Sequence, residues 1–253
     1  MPDASNNHYQ SLLQLTDCHL FSDPEKMAYG VNPLKSLNAL LAQVAAIQPD
    51  ALIVTGDISA DDSKHSYQLF LESIHQYGLA DKLKVIAGNH DQSPWFAHYM
   101  AGFDLTFQAP LNLGNWQIHG IDTRHKGTLG YLHPSDLQQL LNNIDSQPQY
   151  YHMIACHHNP IQTGSWMDKH EWLNRQSFLD AIANRENIRT VIYGHIHSDT
   201  THIFENCLLQ SCPSSCWQFA LCEEFKVADE QPGMRHILLG DEGQLQSQIY
   251  RVS

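Results

Sequence analysis

Five short apolar runs in this chain each stop on polar residues of one chemical kind, and that repetition limits the fold more than any other feature. Lys84-Val85-Ile86-Ala87 gives way at Gly88 to Asn89, His90 and Asp91. Tyr9 to Leu15 ends in Thr16-Asp17-Cys18-His19, and Ala51 to Thr55 ends in Gly56-Asp57. Tyr151 to Cys156 ends in His157-His158, and Thr190 to Tyr193 ends in Gly194-His195-Ile196-His197. In open α/β sheets, ligands sit just outside the carboxyl ends of parallel strands. One such ending would be an ordinary turn, since Gly and Asn favour turns. Five of them predict a sheet-based α/β protein whose strand ends share one site.

Between these runs the pattern turns helical. Asn32-Pro33 supplies an N-cap and a first-turn proline for a helix carrying Leu34, Leu37, Leu41 and Val44, which Pro49-Asp50 breaks. Tyr67, Phe70, Leu71 and Ile74 mark a second helix that stops at Gly78. Residues 93–102 are rich in aromatics (Trp95, Phe96, Tyr99) and read as core packing ahead of a lid. A hairpin around Gly114-Asn115 moves the chain to a second sheet, and helices follow from His133-Pro134 and around Phe178, Leu179 and Ile182. From Thr201 on, β-like runs alternate with turns, which predicts an antiparallel finish. No repeat, low-complexity tract or linker divides the chain, so residues 1–253 read as a single domain.

Composition narrows the function. Lys and Arg total 14 against 27 Asp and Glu, a net charge of -13 that repels nucleic-acid backbones and offers anionic membranes no patch. No stretch has the length of a membrane span, and Met1 to His8 lacks the basic and apolar regions of a secretory signal. The six cysteines are therefore expected reduced in a cytoplasm, and Cys212-Pro-Ser-Ser-Cys216 is a weak zinc motif with no second pair. The 17 histidines remain to be explained.

The strand ends supply Asp17, His19, Asp57, Asn89, His157, His195 and His197. In extended backbone, Asp17 and His19 would leave the same face, and His195 and His197 repeat that spacing. Taken alone, Asp17 with His19 is as well explained by a loop hydrogen bond as by a metal pair. Together these two carboxylates, one amide and four imidazoles, with no thiolate, suit Mn, Fe, Zn or similar ions. Seven donors exceed what one ion with an open position takes. Two ions about 3.5 to 4 Å apart, sharing a carboxylate, would use them all.

The order Asp-x-His, Gly-Asp, Gly-Asn-His-Asp, His-His and Gly-His-x-His resembles the calcineurin-like metallophosphoesterase superfamily over nearly the whole chain. Softer matches at Gly30-Val31-Asn32, Ser165 to His170, Pro213 to Phe219 and Pro232 to Arg235 are similar to its bacterial class III cyclic-nucleotide phosphodiesterases acting on cyclic AMP. The resemblance implies a four-layer α-β-β-α sandwich, two mixed β-sheets flanked by helices. It implies that Asp17, His19 and His197 hold one ion, that Asn89, His157 and His195 hold the other, and that Asp57 bridges them. Fe and Mn are the expected pair, with Zn or other transition ions as alternatives. Relatives read His-His-Pro where Asn159 here precedes Pro160, so His157 and His158 both stand as candidate ligands; His157, first beyond the strand, is preferred.

The implied reaction is hydrolysis of the cyclic phosphodiester of cyclic AMP to 5′-AMP by a metal-bridging hydroxide. His90 would act catalytically, protonating the leaving oxygen or stabilising the charged phosphorane, with Asp91 orienting it. The phosphate would rest against His19, Asp57, Asn89, His90 and His197. The alternative substrates are another phosphate ester or a pyrophosphate, because such motifs bind phosphate and say little of its substituents. A non-catalytic metal scaffold would be expected to lack one of these eight residues, and none is missing. Trp166, Trp217 and Phe219 are candidates either to stack on a base or to pack, and Asp229 to Gly233 offers either a homodimer arm or a plain loop.

Overall fold

The computed structural model describes residues 9–106 and 108–252; the reading of the N-terminal octapeptide lies outside the described residues. The first sheet forms from β1 (Tyr9–Leu15), β2 (Ala51–Thr55) and β3 (Leu83–Ile86), which are parallel neighbours. Helix α1 (Pro33–Ile47) joins the first two strands, and α2 (Lys64–Gln76) joins the second and third. The Asn32 side chain accepts from Lys35 N at 2.9 Å and starts α1 as its sequence predicts. α3 (Pro94–Met100) packs the aromatic segment after Asp91 through Phe96 and Met100, which are buried, while Trp95 stays exposed.

The second sheet begins with the hairpin β4 (Leu111–Leu113) and β5 (Trp116–Gly120). It continues through α4 (Pro134–Asp145), β6 (Tyr151–Ala155), α5 (Arg175–Ile182) and β7 (Ile188–Tyr193), with β5, β6 and β7 parallel. The hairpin β8 (Thr201–Phe204) and β9 (Cys207–Ser211) completes it in the order β4-β5-β6-β7-β9-β8. Here the expected antiparallel finish needs correction, because β9 lies parallel to β7. The chain first lays down β8 at the sheet edge, and the turn between β8 and β9 then reverses it before it pairs with β7, a reversal that alternation of residue types cannot reveal.

A two-stranded ladder of β10 (Gln218–Phe219) and β11 (Val227–Ala228) precedes β12 (Gly233–Gly240) and β13 (Leu245–Arg251). The last two return to the first sheet, giving the order β13-β12-β1-β2-β3 with β12 antiparallel to β1. The segment before β12 is tied down, since Arg251 reaches Glu230 and Asp199 and the Val252 N–H meets Pro232 O.

Burial explains the layering. Successive strand residues point to opposite faces, so Leu12 and Ile53 meet Trp116, Ile118, Met153 and Ile192 between the sheets. Leu13, Leu52 and Val54 turn the other way, to Leu37, Leu41 and Phe70 on the helices. On the far side of the second sheet, Ile154 and Val191 pack on Ile144, Phe178 and Ile182. Strands buried on both faces read as continuous apolar runs. The result is the four-layer α-β-β-α sandwich, and it sets the ends of β1, β2, β3, β6 and β7 along one rim.

Candidate metal centre

The loops beyond the strands stay paired. Asp17 N donates to Gly56 O at 3.0 Å and His19 N to Asp57 O at 2.9 Å, which extends the β1–β2 pairing into the site. On the second sheet, Gly194 N donates to His157 O at 3.1 Å. The Ser214–Trp217 segment docks on the first loop, with Ser215 N on Thr16 O at 3.0 Å and Ser214 Oγ on Asp17 O at 2.9 Å.

Asp17, His19, Asp57, His195 and His197 all have positive φ, between 44° and 70°. The extended geometry expected for Asp17-x-His19 is therefore wrong, although the two side chains do converge. Left-handed backbone costs a non-glycine residue of order 1 kcal/mol, and such strain concentrates where the surrounding structure over-determines a functional site. Part of that over-determination comes from glycine. A Cβ on Gly194 would overlap Thr16 Oγ1, and one on Gly88 would overlap Asp57 Oδ1 and its backbone N.

The side chains meet in a buried cluster. His197 Nε2 lies 3.0 Å from His19 Nε2 and 3.3 Å from Asp17 Oδ1. Asp57 Oδ2 stands 3.6 Å from His19 Nε2 and 3.4 Å from His157 Nε2, so this carboxylate lies between two groups of donors. Asn89 Oδ1 is 3.1 Å from His157 Nε2. The His195 ring lies 5.1 Å from that of His157, and the His195 N–H donates to Asp17 Oδ2 at 3.0 Å.

Outer hydrogen bonds fix which imidazole nitrogen carries the proton. His157 Nδ1 meets Thr55 O at 2.8 Å, His197 Nδ1 meets Trp217 O at 2.8 Å, and His195 Nε2 meets His170 O at 3.1 Å. A carbonyl only accepts, so each of these nitrogens donates and leaves the opposite lone pair for the centre, the arrangement seen around metal-ligating histidines. Trp217 and Phe219 stack on His19 and His197 with interplanar angles of 22° in both cases. Their role is to brace these rings.

Electrostatics mark the same spot. Burial alone would raise the Asp17 and Asp57 carboxyls, yet the charges of His197 and His157 respectively outweigh it and hold both below the usual carboxylate range. Burial pulls His19 and His195 down to about 3, so both rings are neutral donors. Burial also opposes a proton on His157, but Asp57 and its hydrogen bond raise that pKa to about 9, so without a cation the ring keeps a second proton on Nε2, which a metal ion bound there would displace. Asp17 Oδ1 is buried without a hydrogen-bond partner among the described residues. Such an orphaned oxygen is costly, and it faces two imidazole nitrogens. Asp17, His19 and His197 make one compact donor group, and Asp17, Asp57 and His157 make another. These donors fit a pair of cations.

His158 takes no part in either group. Its Nδ1 bonds Thr123 Oγ1 at 2.8 Å and Gly130 packs against its ring. Asp91 corrects another expectation, since it does not orient His90. Its buried carboxylate accepts from Gly88 N (2.9 Å), Ile58 N (3.2 Å), Ser59 N (3.3 Å) and Tyr67 Oη (2.9 Å), tying the β2 and β3 loops together. His90 itself is exposed, edge-on to His19 at 4.8 Å between ring centroids, with its N–H on Asp57 Oδ1 at 2.8 Å. Its imidazole is also close enough to His19 and Asp57 to form a third donor group. The Cys212–Cys216 pair enters no donor group among the described residues, and all six thiols are free.

Above the centre opens a cavity of about 540 Å³ whose walls include Phe21, Tyr29, Trp166, Met167 and Phe219. Among the described residues no Lys or Arg lines it. Tyr29 was not visible as a site residue in the sequence; its only signal there is an aromatic side chain before Gly30 in a loop between β1 and α1.

Comparison with known proteins agrees with this geometry. The chain is 34% identical to the 3′,5′-cyclic adenosine monophosphate phosphodiesterase CpdA of Pseudomonas aeruginosa, over 95% of this chain and 89% of that one. It is 29% identical to the protein of the same name from Vibrio vulnificus, over 99% and 93% of the two chains. Among solved structures, a dimetal phosphatase from Danio rerio superposes with a TM-score of 0.67 at 12% identity, covering 96% of this chain and 99% of that one. The yellow lupin purple acid phosphatase PPD1 gives 0.70 at 12% identity, covering 97% and 52%. Residues 11–199 match the family model described as calcineurin-like phosphoesterase, and the chain belongs to that family.

Proposed function

We propose that this protein is a dinuclear-metal phosphodiesterase that hydrolyses cyclic AMP to 5′-AMP. The observation that carries the substrate class is the uncharged aromatic wall above the donor cluster. Two divalent ions bring four positive charges, of which Asp17, Asp57 and an attacking hydroxide offset three; a pyrophosphate or a phosphomonoester then brings more negative charge than remains to be met, and proteins meet such charge with Arg or Lys. A cyclic diester carries one negative charge and a large apolar group, which suits this cavity. The names of the relatives point to the same substrate.

Asp17, His19 and His197 would hold one cation, Asn89, His157 and His195 the other, with Asp57 shared. Mixed oxygen and nitrogen donors without thiolate suit Mn, Fe or Zn, and the family resemblance points to Fe and Mn among them. Bound there, two such ions supply charge neutralisation at the phosphate and acidify water toward neutral pH. The chain's residues do the rest. The buried loops hold the donors rigid, and the aromatic wall excludes water from the ester. His90 lies at the exposed edge, where it would meet the leaving oxygen: water loses a proton to solvent and attacks phosphorus, the P–O3′ bond breaks, and protonated His90 gives O3′ its proton and takes another from solvent. Residues 1–253 are read as one catalytic domain, and free thiols fit a cytoplasmic protein.

Steady-state assays of the Mn- and Fe-loaded protein on cyclic AMP, cyclic GMP, bis-p-nitrophenyl phosphate and p-nitrophenyl phosphate test the proposal. Cyclic nucleotide turnover well above monoester turnover is expected. Negligible activity on cyclic AMP beside brisk activity on the others would reject it.

A further inference from the structure

Two exposed aromatic rings, Tyr29 in the cavity wall and Phe225 packed against the wall residues Trp166 and Phe219, are spent on nothing the reaction has yet used. Tyr29 is 56% exposed and Phe225 is 52% exposed, although each touches other rings. Leaving large apolar surface in water at a pocket mouth forgoes burial that packing would otherwise exploit, and such exposed aromatics mark binding surfaces.

Both are rigidly presented. Tyr29 sits with Gly30 at the tip of a tight turn closed by two hydrogen bonds between Ala28 and Val31, each 2.9 Å. Its φ of 49° is a conformation that favours glycine, so the turn holds a bulky ring where the backbone resists it. Phe225 lies on the short connection between β10 and β11, braced by Ala220 N on Lys226 O at 2.9 Å. The rings approach to 6.0 Å between centroids. Tyr29 rests on Trp217 at 5.0 Å, and Phe225 rests on Trp166 at 4.9 Å and Phe219 at 5.8 Å. The inner rings Trp217 and Phe219 are already engaged with His19 and His197, which leaves the outer pair with faces to offer.

We propose that Tyr29 and Phe225 form the platform on which the nucleobase stacks, and that they determine the preference for a phosphodiester bearing a planar ring system. This rests on the cyclic-nucleotide reading of the site. The base lies over the outer rings while the phosphate meets the donor cluster at the cavity floor. Because stacking tolerates any base, the platform selects a nucleotide over an abasic ester and does not choose among purines.

The test compares cyclic AMP with the abasic 3′,5′-cyclic ribose phosphate on the metal-loaded wild type, Tyr29→Ala, Tyr29→Phe and Phe225→Ala. Tyr29→Ala is expected to raise KM for cyclic AMP roughly tenfold, with kcat within about twofold. KM for the abasic ester and metal content should stay at wild-type values, and Tyr29→Phe should behave as wild type because the ring does the stacking. Phe225→Ala should show the same split. Unchanged KM for cyclic AMP in both alanine variants, or equal losses on both substrates, overturns the platform and leaves the reaction standing. A wild type that cleaves the abasic ester but not cyclic AMP overturns both.

Discussion

Asp57 uses its two carboxylate oxygens differently: Oδ1 accepts the His90 N–H at 2.8 Å, and Oδ2 stands between His19 and His157 at 3.6 and 3.4 Å. One oxygen thus fixes the β3 loop while the other faces both donor groups. Asp57→Asn keeps the shape but removes the charge shared by the two groups. Metal content by elemental analysis should drop below two ions per chain, and turnover should fall by about 10²-fold or more, the scale of losing one charge-stabilising group. Two ions with near-native turnover in this variant would remove Asp57 from the centre.

For His90, the exposed edge of the site and the contact with His19 predict a separation of binding from chemistry. His90→Ala should retain both ions and a near-native KM while kcat falls by roughly 10²-fold or more, the usual contribution of a general acid. Substrates with a good leaving group, such as bis-p-nitrophenyl phosphate, should lose less, since their leaving oxygen needs no proton. Equal losses across leaving groups would assign His90 to metal binding, the alternative that its distance to Asp57 and His19 raises.

Much of this centre is visible in the sequence because each donor follows an apolar run directly, so strand ends and site residues come from one pattern. The backbone at those ends is not visible. Asp17 and His19 converge through left-handed φ, where alternation suggests extended chain, and spacing alone cannot distinguish the two. Asp91 illustrates a second limit: adjacent to His90, it points the other way, into the β2 loop, because a carboxylate there satisfies three backbone N–H groups. The parallel placement of β9 and the rings of Tyr29 and Phe225 depend on where reversals of the chain land, which residue types do not encode.

That role of Asp91 has a measurable cost. Asp91→Ala would strand the N–H groups of Ile58, Ser59 and Gly88 in a buried position, at about 1 to 3 kcal/mol each. Thermal unfolding should show a loss above about 3 kcal/mol, with Tyr67→Phe losing about 1 to 2 kcal/mol because its hydroxyl is shared between Asp91 at 2.9 Å and Asp62 at 2.7 Å. A near-native melting temperature for the alanine variant would contradict the tie.

Stability should also depend on pH through a pair remote from the centre. His119 Nε2 and His152 Nδ1 are 2.9 Å apart, and His152 Nε2 meets Gln147 O at 3.2 Å. The carbonyl accepts, so His152 donates there and its Nδ1 accepts from His119; a further proton would set two donors face to face. Burial, with a smaller contribution from His152, lowers the His119 pKa to about 4, and burial lowers His152 as well. The unfolded chain therefore takes up protons first as pH falls. The contribution is complete above the ordinary His pKa of about 6.5 and is lost as pH drops from there toward 4. Unfolding free energies from denaturant titrations at pH 7.5 and pH 5 should differ less in His119→Gln than in wild type, by about 1 to 2 kcal/mol. Identical pH dependence in the two proteins would show that the pair is not the source.

Finally, Gly88 explains why glycine precedes the Asn-His-Asp motif. Its Cα hydrogen faces Asp57, and an added Cβ would overlap Asp57 Oδ1 and backbone N and lie 2.8 Å from His157 Cε1. Two of these neighbours belong to the donor cluster and the third is backbone, so none can move without shifting a ligand. Gly88→Ala should fold, losing about 1 to 3 kcal/mol as overpacked sites do, while metal occupancy falls and turnover drops at least tenfold. Gly102→Ala, whose Cβ would meet nothing within 4 Å, is the control and should stay within about 0.5 kcal/mol of wild type. Full metal content and activity in Gly88→Ala would mean that the Asp57 loop yields freely, and the rigidity assigned to the centre would have to come from elsewhere.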